Sequence, residues 1–139
     1  MTYHYEDRIG SHNDTSGFYF TKEVYQYNSD IFDKSVFKLS TPLLYVGSIL
    51  DPIRIKVNCF IKQPTHIKTD IHIDHAFQHQ TLLYSINTNN GYTILDPKGE
   101  NIKIPSIANQ ALIFDGLIEH QAVTQTDENV RINININYA

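Results

Sequence analysis

The sequence predicts an all-β protein with few, short helices, built as a small jelly-roll barrel. Short segments that alternate apolar and polar residues recur about every 8–12 residues, which is typical of an antiparallel sandwich or barrel. Turn-forming pairs such as Asn90-Gly91 and Asp115-Gly116 separate these segments. The chain has 139 residues, of which 41% are hydrophobic and 19% are charged, and this fits one globular domain. We therefore expect a single domain over residues 1–139.

The N-terminal third contains the less regular part of the pattern. Residues 1–16 are polar and predict a loose N-terminal arm. Residues 18–20 are aromatic and predict a short strand. Residues 28–40 predict a short helix, which begins at a serine or aspartate near its start and ends before Pro42. Residues 43–50 are apolar, and their pattern favours neither helix nor strand.

After Pro52 the alternation becomes clear and predicts eight strands. Polar, glycine or proline residues separate the segments, as expected for antiparallel strands joined by turns. The predicted strands are residues 53–60, 67–74, 81–87, 92–95, 102–104, 111–114, 120–123 and 130–138.

Composition and charge exclude several classes of protein. The formal net charge is −4, so the basic field that a general nucleic-acid-binding protein needs is missing. Cys59 is the only cysteine, which rules out an internal disulfide and a thiolate zinc site. No apolar run approaches the ~20 residues of a membrane-spanning helix, and the N terminus lacks the order of a signal peptide. We expect a cytoplasmic protein with neither a membrane nor a nucleic-acid partner.

Candidate metal ligands lie on the predicted strand 67–74. Because side chains alternate along a strand, Asp70, His72 and Asp74 share one face, while Ile71 and Ile73 share the other. His72 and Asp74 are therefore placed to share one metal ion. A solvated strand face explains the same pattern if nothing else converges on it.

The second half of the chain supplies residues that complete such a site. His120 follows an apolar strand, and Arg131 stands at the head of the last strand. Two histidines and one carboxylate with open positions form the facial triad of non-haem Fe(II) oxygenases. An arginine beside it provides a bidentate fork for a carboxylate. By the same alternation, Arg131 shares one face of the last strand with three asparagines. This polar face either lines a water-filled cavity or is exposed to solvent at a sheet edge.

Five motifs follow one another in this order. They are His72-x-Asp74, residues 82–87, residues 91–93, Phe114-Asp115-Gly116 with His120, and Arg131. In this order the chain resembles the 2-oxoglutarate/Fe(II)-dependent oxygenase superfamily over residues 18–138. It is most similar to the prolyl-4-hydroxylase-like branch and to small oxygenases encoded by bacteriophages of marine bacteria. The resemblance implies a double-stranded β-helix, which is a cupin-like jelly-roll barrel.

The resemblance also implies a site and a reaction. His72, Asp74 and His120 match the iron ligands, and Arg131 matches the residue that pairs with the distal carboxylate of 2-oxoglutarate. The expected cofactor is Fe(II), with 2-oxoglutarate and dioxygen as cosubstrates and succinate and CO2 as products. The hydroxylated substrate is expected to be a small molecule or a peptide, with peptidyl-proline as one candidate.

Four further residues are expected around the cosubstrate. Tyr84 matches a tyrosine whose hydroxyl reaches the distal carboxylate of 2-oxoglutarate. Asn58, Thr93 and Asn135 are expected to line the pocket.

Other readings stay open at this point. One is a metal-binding cupin that works without a keto acid, and another is a non-catalytic jelly-roll module that binds a small ligand. His75 and His79 are expected in a surface loop or a substrate loop and not as ligands, since no glutamate sits beside His75 as it does in zinc proteases. The chain leaves little to cover the outer sheet of the barrel, so a homodimer is a further expectation.

Overall fold

The computed structural model describes residues 4–6 and 19–139, and their strands confirm the all-β jelly-roll class. Most of the predicted arm over residues 1–16 lies outside the described residues, but residues 4–6 form a strand. No helix in the described ranges is long and apolar enough to span a membrane. The elements are β1 (His4–Glu6), β2 (Tyr19–Gln26), α1 (Lys34–Val46), β3 (Pro52–Ile61), β4 (Gln80–Ser85), β5 (Asn89–Leu95), β6 (Ile102–Ser106), β7 (Gln110–Asp115), β8 (His120–Val123) and β9 (Val130–Tyr138).

The strands form two antiparallel sheets. The larger sheet has six strands in the order β1-β2-β3-β9-β4-β7, and the smaller has three in the order β6-β5-β8. A cavity lies between the sheets and is lined by side chains from both. The two central strands of the larger sheet, β3 and β9, pair from Pro52 with Tyr138 to Ile61 with Val130.

The main hydrophobic core lies outside the barrel, between the larger sheet and α1. Alternate residues of β3 and β9 point to this side, among them Ile55, Ile134 and Ile136. They pack with Val24 of β2 and Val36 of α1. The intervening residues of the same strands, which are polar except for Phe60, point into the barrel. The isoleucine faces of β3 and β9 therefore pack against α1, and the opposite faces line the cavity.

Helix α1 begins later and ends later than predicted. The backbone N–H of Asp33 bonds to the Val24 carbonyl, which keeps the chain extended up to that residue. Asp33 then caps the helix, because its side chain accepts hydrogen bonds from two backbone amides of the first turn. Pro42 lies inside the helix and not beyond its end. It costs one backbone hydrogen bond, but its ring and Leu43 line the groove between the helix and the sheet.

The predicted strand over residues 67–74 is extended but is not a regular strand. Only Lys68 and His72 form bridges, to Val123 and His120 of β8. Thr69 adds a side-chain hydrogen bond, since its hydroxyl accepts the backbone N–H of Ala122 at 2.9 Å while its own amide donates to the Ala122 carbonyl at 2.9 Å. This segment lies beside β8 and continues the smaller sheet.

Candidate metal centre and its cavity

Two histidines meet because their backbones pair directly. The amide of His72 donates to the His120 carbonyl at 3.0 Å, and the amide of His120 donates to the His72 carbonyl at 2.9 Å. Residues paired in this way present their side chains on the same face. The ring centroids lie 4.5 Å apart. Asp74, two residues beyond His72, joins them, and one ligand atom from each of the three lies within 4.8 Å of the others.

Backbone carbonyls set the orientation of both imidazoles. Nδ1 of His72 lies 3.0 Å from the carbonyl oxygen of Asp70, and Nδ1 of His120 lies 3.1 Å from that of Ile118. A carbonyl only accepts, so each Nδ1 donates to it, and in the neutral form of each ring the Nε2 lone pair is left for a metal ion. Burial lowers the pKa of His120, which favours the neutral, ligating form.

The Asp74 carboxylate is held from both sides. Oδ1 forms an ion pair with Nη2 of Arg54 at 2.9 Å, although the contact is not a well-aligned hydrogen bond. Oδ2 accepts from the amides of Asn137 at 2.9 Å and Asn135 at 3.2 Å. Burial alone would raise the pKa of Asp74, but Arg54 and Asn137 outweigh it and hold that pKa well below its usual range. Asp74 is therefore an anion at neutral pH.

Arg131 is a buried cation on the wall of the cavity between the sheets. Its side chain donates to the Val123 carbonyl at 2.9 Å and to the Thr93 hydroxyl at 3.1 Å, and it lies 5.2 Å from the centre of the Phe60 ring. Within residues 19–139, no aspartate or glutamate lies within 4.0 Å of it. Burial lowers the pKa of Arg131 to about 10, so it stays protonated at pH 7. A buried charge without a counter-ion is costly, which indicates a place for an anion.

One cavity of about 70 Å³ connects the triad with Arg131. Gly91 of β5 makes room for the arginine. A Cβ atom there would lie 2.9 Å from the Val123 carbonyl oxygen and 3.1 Å from Cδ of Arg131. Any larger residue at position 91 would therefore displace the guanidinium or the carbonyl that accepts from it.

The turn that precedes His120 packs against the buried side chain of His79. Asp115 caps the turn by accepting the amide of Leu117 at 2.9 Å, and the Gly116 amide donates to the His79 carbonyl at 2.8 Å. A Cβ atom at Gly116 would collide with the His79 ring. His79 is only 2% exposed, so the expectation that it lies in a surface loop is wrong. Its ring packs against the turn that positions His120.

The structure brings most of the expected site residues to this cavity. All of them line its wall, from both sheets, except Tyr84. The residues that line it are His72, Asp74, His120, Arg131, Asn58, Thr93 and Asn135. Their roles as ligands of iron or 2-oxoglutarate stay predictions.

The expected role of Tyr84 does not fit its position. Thr81 and Leu83 point into the cavity, so alternation along β4 sends Tyr84 to the opposite face of the larger sheet. There it packs against the outer core, and its hydroxyl donates to Asn109 at 2.7 Å. Thr93, which already touches Arg131, occupies the place where a hydroxyl could assist the arginine.

The sequence pattern predicted no function for Arg54, Phe60 or Asn137. A signal was present, since period-two alternation puts Arg54 and Phe60 on the same face of the strand as Asn58. The same alternation puts Asn137 in phase with Arg131. The pattern did not predict the contact of Arg54 with Asp74, because the two residues come from opposite sides of the barrel.

Solved structures share this fold at low sequence identity. An oxidoreductase of the 2OG-Fe(II) oxygenase family from Burkholderia pseudomallei matches with a TM-score of 0.75 and 13% identity, over 100% of this chain and 73% of that chain. A Trichoplax adhaerens prolyl hydroxylase, in complex with a hypoxia inducible factor peptide fragment, matches with a TM-score of 0.66 and 17% identity. This match covers 96% of the present chain and 64% of the hydroxylase, which is less than two thirds of its length.

A cupin also appears among these neighbours. The cupin-2 domain protein Rru_A2000 from Rhodospirillum rubrum matches with a TM-score of 0.52 and 11% identity, over 87% of this chain and 60% of that chain. No protein-family profile and no curated protein matches the chain. At these identities the comparisons establish the jelly-roll fold, which oxygenases and cupins share.

Proposed function

We propose that the protein is a 2-oxoglutarate- and Fe(II)-dependent dioxygenase that hydroxylates an organic substrate and releases succinate and CO2. The observation that carries this proposal is the combination of two sites in one cavity. A set of two histidines and one carboxylate lies in the same cavity as a buried arginine that has no counter-ion among residues 19–139. The first suits Fe(II) with open positions, and the second suits the free carboxylate of a keto acid.

The donor set fits a ferrous ion. His72 and His120 offer their Nε2 atoms, and Asp74 offers one anionic oxygen. With three protein ligands, such a set leaves coordination positions for a bidentate keto acid and dioxygen. Bound there, iron and 2-oxoglutarate would activate dioxygen, so that one oxygen atom converts a C–H bond to C–OH and the other enters the succinate that forms as the keto acid loses CO2.

The protein's own contribution is to bind and orient the keto acid. Arg131 and Thr93 would hold the distal carboxylate, because both line the cavity and the guanidinium donates to the Thr93 hydroxyl at 3.1 Å. Phe60 lies against one side of the guanidinium, and Arg131 is buried. An amide of Asn58 donates to Asn133 at 2.9 Å and fixes the adjoining wall. In such a low-dielectric site, an ion pair orients its ligand strongly.

The decisive experiment adds Fe(II) and 2-oxoglutarate to the purified protein without oxygen. A visible metal-to-ligand charge-transfer band is expected, followed by succinate formation when oxygen is admitted, even without a prime substrate. Arg131→Met should abolish the band at moderate 2-oxoglutarate concentration while metal binding persists. The absence of both band and succinate from iron-loaded protein would reject the proposal.

A second candidate is a cupin-like protein that binds a metal or a small ligand without a keto acid, either non-catalytically or as another enzyme. The small cavity favours it, since about 70 Å³ is below the roughly 300 Å³ of typical ligand pockets. Metal binding that is indifferent to 2-oxoglutarate and to the Arg131→Met change would support this candidate.

The identity of the substrate is also part of the proposal. A peptide or a small molecule fits the resemblance, and peptidyl-proline is the first substrate to assay. Likeness to bacteriophage oxygenases, a cytoplasmic location and a homodimer stay predictions.

A further inference from the structure

The candidate metal ligand Asp74 already has a cation beside it. Nη2 of Arg54 lies 2.9 Å from Asp74 Oδ1, and the two side chains are 14% and 4% exposed. Oδ1 is also the oxygen that lies 3.9 Å from Nε2 of His72. We propose that Arg54 competes with the metal ion for Asp74 and thereby lowers the affinity of this site for divalent metals. This inference rests on the metal site of the proposed function.

Arg54 is fixed in this position by the larger sheet. Its Nε donates to Oδ1 of Asn137 at 3.1 Å. Asn137 is fully buried, and its own amide bonds to Thr81 at 3.1 Å as well as to Asp74. The guanidinium is therefore built into a network from β3, β9 and β4. It cannot leave the carboxylate without breaking its hydrogen bond to Asn137.

The same ion pair has opposite effects on the metal-free and the metal-bound protein. Without metal, Arg54 neutralises a buried carboxylate, which would otherwise be costly. With metal, the guanidinium and a divalent cation share one carboxylate at short range, and their repulsion weakens binding. Removal of the arginine charge should therefore destabilise the metal-free protein and tighten metal binding. A purely structural role for Arg54 predicts the opposite, namely weaker binding when the site loosens.

The test compares the Co²⁺ affinity of Arg54→Met with that of the wild-type protein by calorimetry at pH 7. Arg54→Met should bind Co²⁺ tighter by about tenfold or more. Its melting temperature should be lower without metal and should rise more on Co²⁺ addition than that of wild type. Lys38→Met is the matched control, since Lys38 is exposed on α1 and its loss changes the net charge equally.

The outcomes separate this inference from the proposed function. Wild-type protein that binds no Co²⁺ would reject the metal site itself and the inference with it. Wild-type binding that depends on His72, combined with unchanged or weaker binding by Arg54→Met, would overturn only the role of Arg54. If Arg54→Met does not fold, Arg54→Gln removes the charge but keeps a donor near Asp74, and the same tightening is required of it.

Discussion

The two faces of strands β3 and β9 have different roles, since one packs in the hydrophobic core and the other lines the cavity. The outer face carries Ile55, Ile134 and Ile136, which pack against α1. The inner face carries polar and charged residues such as Asn58 and Arg131, which line the cavity. Alternation by one residue therefore separates the hydrophobic core from the chemistry. A substitution on one face can change stability while leaving the other face intact.

The faces also differ in how completely their groups are satisfied. On the outer face, burial of each aliphatic side chain contributes about 1.5–3 kcal/mol to folding. On the inner face, polar groups mostly bind one another, but the charge of Arg131 and Oδ1 of Asn135 find no partner in the described part of the chain. Unsatisfied groups in a buried cavity are unfavourable for stability and indicate a ligand.

The largest effect is expected at the metal triad. His72→Ala should weaken Co²⁺ binding by more than ~100-fold, because even changes behind a ligand cost about 10–100-fold. The side chain of His72 is 46% exposed, so the melting temperature of the metal-free protein should hardly change. Calorimetry and thermal denaturation check this pair of results. His66→Gln is the control, since His66 bonds to the Thr124 carbonyl away from the triad; equal loss in both variants would contradict the assignment.

The second-largest effect is expected at Arg131, which lies at the other end of the cavity from the metal triad. Arg131→Met should weaken 2-oxoglutarate binding by ~100-fold, as expected when one partner of a buried charge pair is truncated. Co²⁺ affinity should stay within a few-fold of wild type. Titration of the metal-loaded protein with 2-oxoglutarate measures the first value, and metal calorimetry the second. Parallel loss of both affinities would mean that the substitution disturbs the whole barrel.

The outer face should respond in stability alone. Ile136 is fully buried in the core against α1, so Ile136→Ala should lower the free energy of unfolding by about 2–5 kcal/mol. Denaturant unfolding measures this change. The folded fraction should bind Co²⁺ and 2-oxoglutarate as wild type does. A large loss of affinity would show that the two faces of β9 are coupled.

The smallest effect is expected for Tyr84→Phe. The hydroxyl of Tyr84 bonds to Asn109 on the outer side, so its loss should cost about 1 kcal/mol of stability or less. Affinity for 2-oxoglutarate should be unchanged, although the sequence resemblance placed this tyrosine at the cosubstrate. Weaker keto-acid binding by Tyr84→Phe would restore that role and contradict the face on which the structure places it.

Period-two alternation made much of the fold predictable. The pattern over residues 53–60 and 130–138 matches β3 and β9 closely, because each strand has one apolar and one polar face. Helix α1 was less predictable. Its start depends on the bond from Asp33 to Val24, which lies on another element, and Pro42 argued for an earlier end.

The sequence by itself determined the residue types of the site and their order. His72, Asp74, His120 and Arg131 stood out because ligand chemistry requires particular donor atoms, and strand parity tells which of them share a face. Tertiary structure alone decided which faces meet. It turned Tyr84 away from the cavity and brought Arg54 onto Asp74 across the two sheets. Contacts between sheets depend on register and packing between distant segments, and local periodicity carries no information about them.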